Sequence, residues 1–191
     1  NKAITLIVPI LPKSFIRIFS NRYIAGTNRK QALKIITKLN NRNFLVTIDI
    51  LGEHTQSKNE ASLITKEYIR LYKEINLKKL NCNISIKLSH IGSDINEDVF
   101  LKNLAKIHLA SMNSNNFLRL DMEDSTNTDK TINAYKYRHK INNQIGIVIQ
   151  AYLKRSENDI ENLSEGANIR LCKGIYNESE NIAIKKPNEI N

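Results

Sequence analysis

The sequence predicts an α/β protein, a (β/α)8 barrel of the TIM type of which the first five βα units are present. Three observations predict it. Five short apolar stretches carry polar residues on one parity only, helical patterns alternate with them, and the glycines are too far apart for a phosphate-binding turn.

The first helix is expected over 28–42, where Ala32, Ile35, Ile36 and Leu39 recur at helical spacing. The first strand lies in 44-FLVTIDILGEH-54, with Val46, Ile48 and Ile50 on one face and Asp49 on the other. A capping box, Ser57 with Glu60 three residues on, opens a second helix over 58–76 bearing Leu63, Tyr68, Ile69 and Tyr72. In 83-NISIKLSH-90 the apolar positions are Ile84, Ile86 and Leu88, against Ser85, Lys87 and Ser89. A third helix over 96–112 carries Val99, Leu101, Leu104 and Ile107. The stretch 117-FLRLDMED-124 separates Leu118, Leu120 and Met122 from Arg119, Asp121 and Glu123. A fourth helix, 129–141, follows Thr128. In 146-GIVIQAY-152, Ile147, Ile149 and Ala151 oppose Val148, Gln150 and Tyr152. A short fifth helix runs from Ser156 to Leu163, and 168-NIRLCKG-174 sets Ile169 and Leu171 against Asn168, Arg170 and Cys172.

Strand side chains alternate faces, so each run buries one apolar face and presents functional groups on the other. In an open doubly wound sheet helices cover both faces and strands read as continuous apolar runs. In a barrel the outer face lies under helices while polar groups project into the lumen near the strand C-terminal ends. One-sided polarity therefore favours the barrel. The six glycines are never closer than eight apart, which excludes a GxGxxG fingerprint. A closed eight-stranded barrel takes about 250 residues, so a chain of this length is expected to lack roughly three βα units at its C-terminus.

Composition is that of an ordinary globular domain, 41% hydrophobic and 25% charged. The net charge of +10 invites a nucleic-acid partner. The basic residues are dispersed, however, and Asn, Lys and Ile are so frequent that codon bias explains the charge; no nucleic-acid partner is expected. Cys82 and Cys172 are too few for a disulfide framework, which points to a reduced, cytoplasmic compartment. No apolar run reaches the length of a membrane span. Segment 3–11 resembles a signal core but lacks a small-residue cleavage site, so a docked helix or strand is expected there.

The lumen-facing candidates are Asp49, Lys87, Asp121, Glu123, Gln150 and Arg170, with Lys173 and Tyr176 past the last strand. A mid-strand lysine is costly to desolvate unless paired, so Lys87 is expected to meet Asp49 or Asp121. Functionally it can bind a carboxylate, serve as a base or form a Schiff base. Asp121 and Glu123 have the chemistry of metal ligands, but the alternative is pairing with Lys87, Arg119 and Arg170. The four histidines are scattered, and no metal is expected. In 170-RLCKGIY-176 two cations and a glycine at a strand end suit a phosphate or an anionic cofactor ring.

The order of these motifs resembles the proline dehydrogenase family. The matching pieces are 23-YIAGTN-28, 46-VTIDILGEH-54, 84-ISIKLS-89, 119-RLDMEDS-125, 146-GIVIQAYLKRS-156 and 168-NIRLCKGIY-176, covering about residues 14 to 180. The resemblance implies one domain over 1–191, with N-terminal helices in 1–43 and βα units one to five in 44–191, a distorted barrel and non-covalent FAD. It implies oxidation of L-proline to 1-pyrroline-5-carboxylate by hydride transfer to flavin N5, with a quinone or other acceptor completing turnover and peripheral membrane contact left open. Residue by residue, Lys87, Asp49 and Tyr176 resemble substrate-binding positions, and Asp121 and Arg170 catalytic ones. Met122, Gln150, Arg170, Lys173, Gly174, Ile175 and Tyr176 resemble the cofactor-binding set, while Asp49 and Glu53 match the first strand-end acids. Asp121 is expected to orient Lys87.

Two departures stand out. The family usually has Ala where Ile175 stands, and its arginine pair on the last barrel helix has no counterpart before residue 191. The polypeptide alone is accordingly expected not to turn over proline. The competing readings are a Schiff-base aldolase or lyase using Lys87 and a basic nucleic-acid-binding module.

Overall fold

The computed structural model of the chain describes residues 24–190. Segment 3–11, expected as a docked helix or strand, lies outside the described residues, as do the expected N-terminal helices before residue 24.

By its contacts the chain divides into two compact units, residues 1–46 and 47–191. In the first, helix α1 spans Arg29–Asn40. The Asn28 side chain caps it by accepting from the Gln31 N–H at 3.1 Å, and Ala32, Leu33 and Ile36 are buried. Ile35, expected on the apolar stripe, is exposed. The stripe runs through Leu33 instead.

Strand β1 spans Val46–Ile48 and α2 spans Lys58–Leu77. Ser57 caps α2 by accepting from the Glu60 N–H at 3.2 Å, while the Glu60 carboxylate accepts from Gln56 N–H at 2.8 Å, one residue earlier than a regular capping box would have it. Then follow β2 (Cys82–Ile86), a 3-10 turn (Ser89–Ile91), α3 (Glu97–Asn113), β3 (Leu118–Leu120), α4 (Thr128–Ile141), β4 (Ile145–Gln150), a short α5 (Ser156–Glu161) and β5 (Asn168–Cys172). The expected helices match to within one or two residues at each end, the usual uncertainty of frayed termini.

The sheet order is β1-β2-β3-β4-β5, each strand beside its successor, and the β2–β3, β3–β4 and β4–β5 pairs are parallel. This is the order of consecutive βα units in a (β/α)8 barrel. Its register aligns the polar parity of the strands. Ser85 pairs with Arg119, Arg119 with Gly146 and Gly146 with Asn168, so these four share one layer of the inner face. Two residues on, Val148 pairs with Arg170, and the Asp121 N–H donating to Ile86 O at 2.8 Å brings Asp121 to the same level. The alternate set, Ile84, Ile86, Leu118, Leu120, Ile145 and Ile147, is almost wholly buried. Burying six such side chains on one face is worth about 1.5–3 kcal/mol each, which holds the register against a one-residue slip.

Strand β5 departs from the expected pattern. Leu171, on the apolar parity, is 62% exposed. Among the described residues β5 pairs only with β4 and forms the edge of the sheet.

Candidate active site

The polar inner face is built in layers. At its lower end the Arg119 guanidinium crosses the sheet, with Nη2 donating to Asn168 Oδ1 at 2.7 Å and Nη1 to Ile147 O at 3.3 Å, and it stacks 4.9 Å from the Phe117 ring. Gly146 makes room for that crossing. A Cβ there would lie 2.8 Å from Arg119 Nη1 and 2.7 Å from Phe117 Cζ.

Above this plug lies a cleft of about 380 Å³ lined by Lys87, Asp121, Met122, Gln150, Cys172, Lys173, Gly174, Ile175 and Tyr176. Lys87 Nζ meets Glu53 Oε2 at 2.9 Å, and the Tyr176 hydroxyl donates to the same oxygen at 3.4 Å. The Lys87 hydrogen bond is the main cause holding the Glu53 carboxyl below its ordinary range. Burial works to lower the Lys87 ammonium, but the Glu53 hydrogen bond and the Glu53, Asp121 and Glu123 charges outweigh it, and the net shift is upward. Lys87 is therefore protonated at neutral pH, which suits a carboxylate anchor and opposes a nucleophilic amine. The expected partners of Lys87, Asp49 or Asp121, are thus replaced by Glu53. The β1–α2 loop carries Glu53 over the ammonium, whereas Asp49 is exposed and lies off the cleft lining.

Asp121 is instead paired with Arg170, Nη2 to Oδ1 at 2.9 Å, and the same oxygen accepts from Met122 N–H at 3.1 Å. Its expected task of orienting Lys87 is not seen. Gln150 is buried, with Nε2 donating to Glu123 O at 2.8 Å and Oε1 accepting from Ile175 N–H at 3.4 Å. Gly174 adopts φ 111°, a left-handed conformation that favours glycine, and lies flat on Tyr152, where a Cβ would fall 2.1 Å from ring atom Cδ1. Tyr152 also holds this segment by polar contacts. Its N–H donates to Lys173 O at 2.9 Å and its hydroxyl to Tyr176 O at 3.1 Å. Ile175 projects outward, 87% exposed.

Glu123 does not take the cationic partners weighed for it, Lys87, Arg119 and Arg170. It is 1% exposed and bound by Ser89, whose N–H donates to Oε1 at 3.0 Å and whose hydroxyl donates to Oε2. Burial raises its pKa despite those bonds. Donor atoms of Glu53, His54 and Glu123 lie within 4.8 Å of one another, but each already has a partner: Lys87, Asp94 and Ser89 respectively.

Comparison with protein-family models matches residues 32–188 to the model described as proline dehydrogenase. The chain belongs to the proline dehydrogenase family. It is 33% identical over 168 residues to proline dehydrogenase 1 of Bacillus subtilis (strain 168), covering 87% of this chain and 56% of that one. With the proline dehydrogenase of Deinococcus radiodurans it shares 29% over 172 residues, 86% of this chain and 55% of that one. The chain thus spans about half the length of these proline dehydrogenases. Among solved structures, proline utilization A from Bdellovibrio bacteriovorus inactivated by N-propargylglycine superposes with a TM-score of 0.77 at 24% identity, over 85% of this chain and 21% of that one. Proline utilization A from Corynebacterium freiburgense gives 0.67 at 19% identity, over 85% and 19%. These likenesses show the shared barrel fold.

The structure gathers all of the proline dehydrogenase-like positions named above except Asp49, Glu53 and Arg170 onto the cleft lining, with Glu53 joined to it through Lys87 and Arg170 through Asp121. Sequence reasoning passed over Ser89 as a partner for Glu123, and Ser125 and Glu178 altogether. Ser89 sat on the polar parity of its strand, which was the available signal. The Ser125–Glu178 contact joins two loops 53 residues apart and has no periodic signature.

Proposed function

We propose that this chain forms part of an FAD-dependent proline-oxidising site, in which L-proline is converted to 1-pyrroline-5-carboxylate. The observation that carries the proposal is Lys87 on the cleft wall, bonded to Glu53 at 2.9 Å, beside the Asp121–Arg170 pair.

The residues present fit a flavin by the chemistry of their donors. Arg170 is 48% exposed at its side chain and places a fixed cation at the inner face, Lys173 adds an exposed one, and the 173–176 backbone runs along the cleft on Tyr152. Met122, Gln150, Arg170 and the 173–176 segment would hold the cofactor, which when bound supplies the hydride acceptor. Lys87 binds the substrate carboxylate as a point charge, at the cost of loosening its bond to Glu53. Asp121 fixes the Arg170 guanidinium, and that cation stabilises negative charge developing at the ring edge. The contribution of these residues is orientation and electrostatic support.

Protein expressed from its whole reading frame and mixed with FAD is expected to be yellow, and anaerobic L-proline is expected to bleach its visible absorbance. A yellow protein unmoved by proline would overturn the substrate, and a colourless one the cofactor. Trapping of a carbonyl compound on Lys87 by borohydride would favour a lyase instead.

A further inference from the structure

Strands β3 and β5 are not neighbours; β4 lies between them, yet they are tied to each other at three levels, the lowest being Arg119 Nη2 to Asn168 Oδ1. Above it Asp121 pairs with Arg170. The upper tie joins the loops that follow these strands. The Glu178 carboxylate accepts from Ser125 N–H at 2.7 Å through Oε1 and from the Ser125 hydroxyl at 2.7 Å through Oε2. Ser125 stands four residues beyond Asp121, and Glu178 two beyond Tyr176, so this bidentate contact bridges the cleft wall on one side to the 173–176 segment on the other.

Both ends of the bridge are held rigidly. Asp124 Oδ1 accepts from Thr126 N–H at 3.1 Å and from the Thr126 hydroxyl at 2.6 Å, setting the turn that presents Ser125 ahead of α4. Beyond Glu178 the chain bonds back to the end of β4: Lys154 N–H donates to Ile182 O at 3.0 Å and Ile184 N–H to Tyr152 O at 2.7 Å, with Leu153 and Ala183 bridged between them. The 173–176 segment therefore has four classes of anchor: Tyr152 beneath it, Gln150 at Ile175 N–H, Glu53 at the Tyr176 hydroxyl, and Glu178 at its exit. Only the last joins it to the β3 side without passing through β4.

Resting on the proposed flavin site, we infer that Glu178 is a positioning residue, whose carboxylate, clamped on Ser125, holds the 173–176 segment in the conformation that binds the cofactor. It touches neither substrate nor reacting atoms. Two charge-assisted hydrogen bonds at 2.7 Å to a half-buried carboxylate make its loss felt in cofactor affinity. Glutamine keeps the geometry of both contacts, because its carbonyl accepts from the Ser125 N–H and its amide can donate to the Ser125 oxygen.

The test compares wild type, Glu178→Gln, Glu178→Ala and Ser125→Ala, each expressed from the whole reading frame. Two quantities are read: FAD dissociation by titration, and amide hydrogen exchange of the FAD-free protein. Glu178→Ala is expected to raise the dissociation constant roughly tenfold or more, with faster exchange confined to 173–178 and 123–127. Glu178→Gln is expected to restore both to near wild type, and Ser125→Ala, which keeps the backbone donor, to fall between. Unchanged affinity in Glu178→Ala while wild type binds FAD overturns the inference and leaves the flavin site standing. Faster exchange over the whole chain also overturns it, by making Glu178 a general fold stabiliser. If Glu178→Ala does not fold, Ser125→Ala decides: unaltered affinity there counts against the clamp. A wild type that binds no FAD overturns the flavin site itself.

Discussion

Arg170 reaches across β4 to Asp121, Nη2 to Oδ1 at 2.9 Å, and so joins two strands that share no backbone pairing. The intervening register partner of Arg170 is Val148, too short and apolar to compete for either charge. The pair is half open to solvent, so its net worth to folding is small, under about 1 kcal/mol. A cation at a proposed flavin edge is worth more in the reaction. Arg170→Met is expected to slow flavin reduction by proline roughly 10²- to 10³-fold, with a urea midpoint almost unmoved. Stopped-flow reduction and urea unfolding of the same preparation check this, and equal losses in both would remove Arg170 from catalysis.

The polar parity of β2, β3 and β5 was legible because strands have a period of two and because parallel register preserves it from strand to strand. Placing Lys87, Asp121 and Arg170 on one face needed no more than that. The pairings among them were not legible. Lys87 took Glu53 because a loop lays that carboxylate over the ammonium, and Asp121 then turned to Arg170. Loop geometry of this kind leaves no periodic trace. Strand β4 shows a further limit: all six of its residues are buried, so parity alone does not distinguish its faces, and Gln150 is recognised only through its bonds to Glu123 and Ile175.

The Lys87–Glu53 pair sets a pH window for the proposed substrate contact. Glu53 has a depressed pKa, so its contribution to stability is present above the ordinary value of 4.5 and is lost as pH falls through the lower folded value. Lys87 has a raised pKa, so its contribution is full below 10.5 and is lost as pH rises through the higher folded value. Both charges persist between these limits. Lys87→Ala is expected chiefly to raise the proline concentration needed for half-maximal reduction, with the increase constant from about pH 6 to 9. Steady-state titrations across that range decide it, and an unchanged requirement excludes Lys87 from the substrate site.

Ser89 is expected to matter more to folding at high pH than at low. Glu123 is buried and its pKa raised, so its ionised form is the strained one, and stability gains as pH falls through the folded pKa. Ser89 supplies both donors that relieve the charge. Ser89→Ala removes the hydroxyl and is expected to cost about 1–3 kcal/mol, more at pH 8 than at pH 5, where Glu123 can take up a proton. Urea unfolding at the two pH values measures the difference. Equal costs would mean that Glu123 keeps one protonation state from pH 5 to pH 8.

Gly174→Ala tests the contact of the cleft backbone with Tyr152. A left-handed φ of 111° and a Cβ placed 2.1 Å from Tyr152 Cδ1 act together, and the backbone conformation alone is expected to cost about 1–3 kcal/mol. The steric part depends on the ring. In a Tyr152→Leu background the cost of Gly174→Ala is expected to be smaller, a coupling that a double-mutant cycle on unfolding free energies reads directly. Strict additivity would assign the whole effect to backbone strain.

Two histidines pull acid stability in opposite directions. His108, on α3, is 1% exposed, and among the described residues neither ring nitrogen has a partner. Burial, reinforced by the nearby Arg138 charge, pushes its pKa down to about 4. As pH falls below the ordinary 6.5 the unfolded chain binds a proton that the folded chain refuses, so stability declines between about 6.5 and 4. His54 behaves oppositely: its bond to Asp94 at 2.6 Å raises its pKa, and its contribution is full below 6.5 and lost as pH rises through the raised value. Because His54 is exposed, that second effect is small. His108→Leu replaces an unpaired buried imidazole by an apolar group of similar size and is expected to add roughly 1 kcal/mol at neutral pH. It should also flatten the acid limb of a stability–pH curve between 6.5 and 4, whereas His54→Ala should leave that limb in place. An acid limb unchanged by His108→Leu would show that other groups, the paired carboxylates first among them, govern acid unfolding.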